Sequence, residues 1–351
     1  MNPGKINVLV VEDSPVVRML LTHLLAADPL LHVVGAVCDG QEAVEFVSSR
    51  KPDVILMDAN MPRMDGYEAT RTIMETQPVP IVISSASTKN EEVGMTFRAL
   101  EAGAVAFVEK PGLLGSPGFD EAVRKLVQTV KLMAEVKVVR RWTRSRMAAQ
   151  TAAGPAAAAR PGEPVQMVAI GASTGGPPVI QGILRSLPKP YPIPILIVQH
   201  IAAGFLDGMV EWLAKSASLP VQLAVHGAVA APGHVYLAPD GFHLGVMGGG
   251  RLLLSKDAPE NGLRPSVAFL FRSVADVCGA QAVGVLLSGM GKDGAQELKL
   301  MRDKGAVTIA QDAESSVVHS MPGEAIQLGA AMYVLPPDRI SATLAGLAGP
   351  P

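Results

Sequence analysis

Between residues 168 and 179 the chain reads Val-Ala-Ile-Gly-Ala-Ser-Thr-Gly-Gly-Pro-Pro-Val, and the rest of the sequence is organised around this stretch. Its apolar start, residues 168–170, predicts a buried strand, and a glycine-rich turn then leads into a helix opened by Pro177. Ser173 therefore lies where a strand becomes a helix, beside backbone N–H groups, at Thr174 and Gly175, that favour a developing oxyanion. This position suits a nucleophile. On this stretch alone, a turn of small residues that merely lets a helix pack closely is an equally good interpretation.

Composition indicates two α/β domains. The 351 residues are 48% hydrophobic and only 4% aromatic, which is typical of compact α/β folding in two domains. The formal net charge of −2 gives no overall attraction to nucleic acid or lipid. Two cysteines, Cys38 and Cys278, are too few for a disulfide framework and indicate a reducing compartment. Because the chain shows no signal sequence and no apolar run of about 20 residues, we expect a cytoplasmic protein without direct membrane insertion.

Strand and helix patterns alternate five times in the first 139 residues. Five βα units predict a doubly wound parallel sheet of the flavodoxin-like kind. The predicted strands are residues 6–11, 32–37, 54–57, 81–84 and 106–108, and the predicted helices are residues 16–25, 41–49, 65–76, 91–102 and 119–139.

Polar side chains end three of these strands. Glu12 and Asp13 follow the first strand, Asp58 the third and Lys110 the fifth. The carboxyl ends of parallel strands meet at one edge of a sheet, and three carboxylates without cysteine or histidine suit Mg²⁺. Asp58 can then accept a phosphoryl group whose charge the metal and Lys110 neutralise. Ser84, at the end of the fourth strand, can donate its hydroxyl to that group.

These residues resemble the receiver domain of two-component response regulators. The resemblance covers about residues 5–111 and rests on Glu12-Asp13, on Asp58 with Met61-Pro62 and Met64-Asp65-Gly66, on Ser84, and on Lys110-Pro111. It implies that Asp58 is the phosphoacceptor, that Mg²⁺ binds among the three carboxylates, and that a histidine kinase is the donor. It also implies a switch hydroxyl, a switch aromatic and a phosphate-sensing lysine, which are Ser84, Phe107 and Lys110.

The character of the sequence changes after this domain. We assign residues 1–125 to the receiver, residues 126–163 to a helix end and a linker, and residues 164–351 to a second domain. The linker contains the basic run Arg140-Arg-Trp-Thr-Arg-Ser-Arg146, and its Ala-, Gly- and Pro-rich part cannot bury a core. We interpret the arginines as the solvated end of a helix rather than as a site for lipid or RNA.

In the second domain, three strands each end near a residue type that a catalytic triad uses. Residues 167–170 lead to Ser173, residues 193–198 to His200, and residues 283–287 to a glycine-rich loop that contains Asp293. In a parallel sheet these positions converge at one edge, as a nucleophile, a base and an orienting carboxylate require. Residues 221–254 predict a β-hairpin insertion, without metal-ligand spacing.

Other assignments of this domain stay open. Gly171-Ala-Ser-Thr-Gly175 also fits the nucleophile elbow of α/β-hydrolases, whose order along the chain requires Ser173, Asp293 and then His319. His319 does not close an apolar strand, whereas His200 does. A nucleotide-binding loop lacks its glycine pattern here, and 12 Lys and Arg against 13 Asp and Glu after residue 163 argue against DNA binding. A hydrolase of another ester and a non-catalytic binding module are the alternatives.

The second domain resembles the catalytic domain of chemotaxis protein-glutamate methylesterases. The resemblance rests on Ile170-Gly-Ala-Ser-Thr-Gly-Gly-Pro177, Val198-Gln-His200, Ala238-Pro-Asp-Gly-Phe-His243, Arg264-Pro-Ser-Val267, Leu287-Ser-Gly-Met-Gly-Lys-Asp-Gly294, and Ala310-Gln-Asp312 with Met321-Pro322. It implies hydrolysis of glutamyl methyl esters on methyl-accepting chemotaxis receptors, with release of methanol, no cofactor for the esterase, and glutamine deamidation as a possible second activity. It implies Ser173 as nucleophile, His200 as base and Asp293 as orienting acid. Met290 is then expected near the oxyanion.

Two positions depart from that pattern. Ala268 replaces an aspartate after Arg-Pro-Ser-Val, and Ser320-Met-Pro-Gly323 replaces Gly-Met-Pro-Arg. Neither position belongs to the triad, and both bear on receptor choice and docking. With the receiver in front, we expect the unphosphorylated receiver to inhibit the hydrolase and phosphorylation of Asp58 to relieve that inhibition.

Overall fold

A computed structural model describes residues 4–85, 90–112, 115–116, 118–136, 138 and 164–348, with the backbone alone for residues 90–93. The chain divides into two units, Met1–Thr151 and Ala152–Pro351. The predicted arginine run and the linker after it lie outside the described residues. Every helix in the described ranges is too short or too polar to cross a membrane.

The first unit is a five-stranded parallel sheet with helices between successive strands. Its elements are β1 (Ile6–Val11), α1 (Pro15–Ala26), β2 (Leu31–Val37), α2 (Gly40–Ser49), β3 (Val54–Asp58), α3 (Gly66–Thr76), β4 (Ile81–Ser85), α4 (Asn90–Ala102), β5 (Ala106–Glu109) and α5 (Phe119–Ala134). The strand order is β2-β1-β3-β4-β5, so the predicted doubly wound fold is confirmed.

Helix α5 is shorter than its predicted span of residues 119–139. It ends at Ala134, and the β-branched residues Val136 and Val138 that follow have low helix propensity. The predicted domain boundary at residue 125 falls inside this helix, whose side chains Val130 and Met133 are fully buried. The exact domain limits stay a prediction.

Capping side chains fix where two helices of the first unit begin. The carboxylate of Asp39 accepts the N–H of Glu42 at 2.9 Å, and the carboxylate of Asp65 accepts the N–H of Glu68 at 2.8 Å. Each cap satisfies an N–H group that lacks a partner within its helix and contributes about 1 kcal/mol. The loops at the carboxyl edge of the sheet therefore end at defined residues.

The second unit is built on a seven-stranded parallel sheet in the order β14-β13-β12-β6-β7-β9-β8. Its elements are β6 (Met167–Ala172), α6 (Gly176–Ser186), β7 (Ile195–Gln199), α7 (Leu206–Ser216), β8 (Val221–Leu223), β9 (Val235–Leu237), β10 (His243–Met247), β11 (Arg251–Ser255), α8 (Val267–Cys278), β12 (Ala282–Leu286), α9 (Ala295–Asp303), β13 (Val307–Gln311), α10 (Ser320–Gln327), β14 (Tyr333–Leu335) and α11 (Pro337–Leu347).

The strand order of this sheet reverses beside β6. The chain adds β7, β9 and β8 on one side of β6 and later adds β12, β13 and β14 on the other. At such a reversal the loops after the two central strands leave in opposite directions and open a crevice at the carboxyl edge. Strands β6, β7 and β12 are buried along their whole length, which explains why they are apolar apart from Gln199 at the end of β7.

The hairpin insertion is smaller than the predicted span of residues 221–254. Of the strands described in this span, only β10 and β11 form an antiparallel pair. Strand β9 joins the parallel sheet, with Val235 paired to Ile195 of β7, and β8 covers its outer edge. Strands of three residues alternate too briefly for the sequence to distinguish a sheet edge from a hairpin.

Two glycines, Gly171 on β6 and Gly294 directly before α9, allow close packing against α8. A Cβ atom built on Gly171 of β6 would lie 2.3 Å from Cγ1 of Val267, and one built on Gly294 would lie at the same 2.3 Å. Val267 is fully buried at the start of α8. These contacts fix the start of α8 beside the carboxyl edge of the sheet.

We expect Gly171→Ala to destabilise the second unit by about 1–3 kcal/mol, because the added methyl group overfills this contact. Gly182→Ala is the matched control, since a Cβ at Gly182 on α6 meets no atom within 4 Å. That variant is expected to be neutral or more stable by about 0.5–1 kcal/mol. Denaturation followed by Trp212 fluorescence, in a Trp142→Phe background, measures both changes. Equal stability of the two variants would contradict the packing argument.

Candidate active site

Ser173 follows the last residue of β6, at the crevice where the strand order reverses. The turn behind it requires Gly175, whose φ of +79° lies in the left-handed region and whose Cβ position would be 2.5 Å from Cβ of Val317. The Ser173 N–H donates to the Ser288 carbonyl at 3.0 Å, which ties the turn to the loop after β12. The Ser173 residue is half-buried and keeps the access that a nucleophile requires.

His200 lies next to this turn because β6 and β7 are paired neighbours. Ala172 pairs with Gln199, and the N–H of His200 donates to the Ala172 carbonyl at 2.9 Å. The Nε2 atom of His200 is 2.9 Å from Oδ2 of Asp293. Because an ionised carboxylate only accepts hydrogen bonds, Nε2 carries the hydrogen, and Nδ1 is the ring nitrogen that can accept a proton.

Asp293 lies in the loop between β12 and α9 and is only 5% exposed. Its oxygens accept four hydrogen bonds, from Ser266 Oγ at 2.9 Å, Val267 N at 2.7 Å, Ala268 N at 3.1 Å and His200 Nε2 at 2.9 Å. The first three donors belong to the beginning of α8. The partial positive charge of a helix N-terminus stabilises a carboxylate placed there.

These contacts set the charge of Asp293. Burial alone would raise its pKa, but the hydrogen bond and charge of His200, together with the donors of Val267 and Ser266, leave the pKa below its ordinary value. Asp293 therefore stays ionised in the neutral range. The stability that it contributes is present above its unfolded pKa and is lost as pH falls through its folded pKa.

The structure brings two of the three predicted triad side chains into direct contact. His200 and Asp293 are hydrogen bonded, whereas no hydrogen bond joins the Ser173 hydroxyl to His200 among the described residues. The two residues follow paired strands, whose backbones are separated by about 4.8 Å. Hydrogen bonds between a nucleophile and its base are often long without substrate and tighten when substrate binds. The placement is therefore compatible with catalysis.

Backbone N–H groups of Thr174, Gly175 and Met290 lie near the nucleophile. Within the described ranges, none of these three groups donates to an acceptor. A Cβ built on Gly289 would lie 2.7 Å from Cβ of Ser173, which places residue 290 next to the turn. Unpaired donors at this point can stabilise an oxygen that becomes negative in the transition state.

His319, the base in the alternative α/β-hydrolase order, lies near the same loops, and no hydrogen bond joins it to Asp293 in the described part of the chain. It forms an isolated parallel bridge with Gly289 and directly precedes α10. Burial lowers the pKa of His319, and the charge of Asp312 opposes that effect. The contact of His200 with Asp293 favours the order Ser, His, Asp along the chain.

Ser266 contacts the predicted orienting acid, Asp293, a role that its sequence pattern did not predict. A serine directly before a helix is a typical N-cap, which is the sequence signal for this position, yet here its hydroxyl donates to Asp293. Ala268, where the family pattern has an aspartate, supplies only its backbone N–H to Asp293, so this contact does not depend on its side chain. Gly323, the other departure, lies against His319, with its Cβ position 3.1 Å from Cδ2 of the ring.

The predicted phosphoacceptor pocket of the first unit gathers at the carboxyl edge of its sheet. The Nζ atom of Lys110 is 2.7 Å from Oε2 of Glu12 and 2.9 Å from Oδ1 of Asp58. Glu12, Asp13 and Asp58 each offer a carboxylate oxygen within 4.8 Å of the others. This is a set of hard oxygen donors that fits Mg²⁺.

The charges of this pocket are unbalanced. Burial, followed by the negative charge of Asp58, raises the pKa of Glu12 above its ordinary value despite Lys110. Burial also raises the pKa of Asp58, with a contribution from Asp13. Burial would lower the pKa of Lys110, but Asp58 and Glu12 outweigh it and raise that pKa. Independently of burial, three carboxylates share this pocket with one lysine, and a divalent cation would offset the excess negative charge.

The two predicted switch residues lie on β4, which is paired with the strand that ends at Asp58, and on β5 beyond it. Ser84 pairs with Asp58 across β3 and β4, and its buried hydroxyl has no hydrogen-bond partner within the described residues. Such a hydroxyl is available to a group attached to Asp58. Phe107 lies on β5 and packs edge-to-face against Phe97, with ring centroids 6.0 Å apart.

Comparisons with known proteins cover both units. Residues 168–344 match the family described as CheB methylesterase, and residues 8–114 match the response regulator receiver domain. The chain is 53% identical over 343 residues to the protein-glutamate methylesterase/protein-glutamine glutaminase of Nitrosospira multiformis, covering 97% of each chain. It is 55% identical over 344 residues to protein-glutamate methylesterase/protein-glutamine glutaminase 4 of Geobacter metallireducens, covering 98% of this chain and 99% of that one. The crystal structure of the Thermotoga maritima CheB methylesterase catalytic domain is 38% identical, with a TM-score of 0.51, and covers 53% of this chain and 100% of its own.

We expect Asp293→Asn to slow covalent labelling of Ser173 by a fluorophosphonate probe by roughly 100- to 10,000-fold, because His200 loses the ionised carboxylate that fixes its tautomer and stabilises its charged form. Asp276→Asn is the matched control, since this exposed carboxylate near the other end of α8 forms an ion pair with Lys304 at the surface. Its labelling rate is expected to equal that of the wild type. Mass spectrometry of timed samples gives the rates, and an unchanged rate for Asp293→Asn would exclude the orienting role.

Proposed function

This chain belongs to the family of CheB methylesterases that carry a response regulator receiver domain, and we propose that it hydrolyses glutamate 5-O-methyl esters on methyl-accepting chemotaxis receptors under the control of receiver phosphorylation. The observation that carries this proposal is the 2.9 Å contact between His200 Nε2 and Asp293 Oδ2 beside the Ser173 turn. The products are methanol and a receptor glutamate.

In the first half of the reaction, the Ser173 hydroxyl attacks the ester carbonyl while Nδ1 of His200 takes its proton. Asp293 stabilises the imidazolium that forms, since its carboxylate accepts the hydrogen of Nε2. The N–H groups of Thr174, Gly175 and Met290 hold the negative oxygen of the tetrahedral intermediate. His200 then returns the proton to the methoxy oxygen, methanol leaves, and an ester joins Ser173 to the receptor side chain.

In the second half, water attacks this ester and His200 again serves first as base and then as acid. The bond to Ser173 breaks, and the serine recovers its hydrogen as the receptor glutamate is released. A receptor glutamine can follow the same course with ammonia as the leaving group. We therefore propose deamidation as a second activity of the site, in agreement with the glutaminase name of the relatives.

In the first unit we propose Asp58 as the residue that accepts a phosphoryl group, with a histidine kinase as donor. Glu12, Asp13 and Asp58 have the donor chemistry and spacing to hold Mg²⁺. When bound, this metal neutralises charge on the phosphoryl oxygens. The residues of the chain itself supply a fixed cation, Lys110, and a donor hydroxyl, Ser84, next to the acceptor.

We propose the cytoplasm as the place of this activity and membrane-bound chemotaxis receptors as the protein substrate. Both cysteines, Cys38 and Cys278, are free thiols, which fits a reducing compartment. A net charge of −2 offers no electrostatic support for a nucleic-acid partner.

We expect full-length protein to release methanol from methyl-labelled receptor membranes, faster when a small phosphodonor such as acetyl phosphate is present. Ser173→Ala should abolish the release, because no other hydroxyl replaces the nucleophile, while Asp58 still incorporates phosphate. Ser218→Ala is the control and should leave the rate unchanged, because the Ser218 hydroxyl donates to the Leu187 carbonyl. Asp58→Asn should keep the basal rate and lose the response to phosphodonor.

Gas chromatography of methanol and radiolabelled phosphate incorporation provide the two readouts. Release that survives Ser173→Ala would remove this residue as nucleophile. A response to phosphodonor that survives Asp58→Asn would remove Asp58 as phosphoacceptor. No release under any condition would favour a binding module instead of an enzyme.

A further inference from the structure

A buried glutamine, Gln199, joins the backbones of the two residues that are to exchange a proton. Gln199 is the last residue of β7 and is only 5% exposed. Its Nε2 group donates to the Ser173 carbonyl at 2.9 Å and to the His200 carbonyl at 2.8 Å. A primary amide carries two hydrogens on this nitrogen, so one side chain can satisfy both carbonyls at the same time.

The contact with Ser173 also fixes the direction of a neighbouring donor. The Ser173 carbonyl accepts from Gln199 Nε2 and from the N–H of Gly176, the latter at 2.9 Å. In a trans peptide unit, C=O and N–H point in opposite directions. The N–H of Thr174 therefore points away from Gln199, and within the described residues it donates to no acceptor.

The surroundings allow Gln199 only one orientation. A Cβ built on Gly176 would lie 2.4 Å from Oε1 of Gln199 and 2.7 Å from Cβ of Ala172, so the amide fills the space under the start of α6. A flipped amide would place its oxygen against two carbonyl oxygens, all of them acceptors. The glutamine is thus held by packing on one side and by two hydrogen bonds on the other.

We propose that Gln199 is a positioning residue for the hydrolytic reaction. It fixes the separation between Ser173 and His200 and aims the Thr174 N–H at the oxyanion. The proposal rests on the proposed function, in which Ser173 is the nucleophile. Gln199 then affects the transition state and has little effect on binding of the receptor segment, because its amide is buried and both of its N–H groups bind backbone carbonyls.

The test compares Gln199→Met with the wild type in full-length protein on methyl-labelled receptor membranes. Methionine keeps the length and apolar stem of the side chain and removes both N–H donors. We expect kcat to fall about 10- to 100-fold, somewhat less than direct loss of an oxyanion donor, while KM changes by less than about threefold. Fluorophosphonate labelling of Ser173 should slow in parallel. Gln222→Met, an exposed glutamine on β8, controls for the chemical change and should behave as wild type.

Gln199→Glu provides a second readout and serves if the methionine variant does not fold. Its carboxylate has no hydrogen to donate, whereas its protonated form donates one, and burial raises the pKa of such a group. Its activity relative to wild type should therefore rise as pH is lowered from about 8 to about 6. A side chain that only fills space would give a constant ratio.

Three results would overturn the proposal: a kcat for Gln199→Met within about twofold of wild type, a loss carried by KM alone, or a constant ratio for Gln199→Glu. Ser173→Ala, measured in the same assay, distinguishes an error in the role of Gln199 from an error in the proposed function. If Ser173→Ala is inactive and Gln199→Met is not impaired, only the role of Gln199 is wrong. If Ser173→Ala stays active, the proposed function itself is wrong.

Discussion

The site of the second unit depends on the hydrogen bonds that the ionised carboxylate of Asp293 accepts. Asp293 is 5% exposed and accepts hydrogen bonds from Ser266, Val267, Ala268 and His200. A buried charge without such donors costs several kcal/mol, so the loop after β12, the start of α8 and the end of β7 must meet at this point. Because β6 lies between β12 and β7 in the sheet, the same arrangement brings Ser173 beside His200.

Buried carboxylates have different surroundings in the two units, and their pKa values shift in opposite directions. In the second unit, the start of a helix and a histidine stabilise the negative charge of Asp293, and its pKa lies below the ordinary value. In the first unit, one lysine stands against Glu12 and Asp58, and burial keeps both of their pKa values raised. A carboxylate held charged by fixed donors suits a constant role in orienting a base. A pocket with excess negative charge suits the uptake of a metal ion and a change of state on phosphorylation.

The strands and the residues that end them could be predicted from the sequence, because fully buried parallel strands are continuous apolar runs. Ser173, His200 and Glu12 directly follow the strands β6, β7 and β1, and Asp13 comes one residue later. The positions of β8 and β9 could not be predicted, since three residues give too short a pattern. The hydrogen bonds of Gln199 and Asp293 could not be predicted from the sequence either. Several of them join segments that are 26 or 27 residues apart along the chain and that meet only in the folded domain.

The most direct test of the Ser, His, Asp order is the rate of methanol release by His200→Ala compared with that of His319→Ala, on the same methyl-labelled receptor membranes. Loss of the base should lower the rate by roughly 10⁴-fold or more in His200→Ala, whereas His319→Ala should lose less than about tenfold. The reverse result, a large loss in His319→Ala and a small one in His200→Ala, would establish the α/β-hydrolase order and contradict the assignment of His200 as the base.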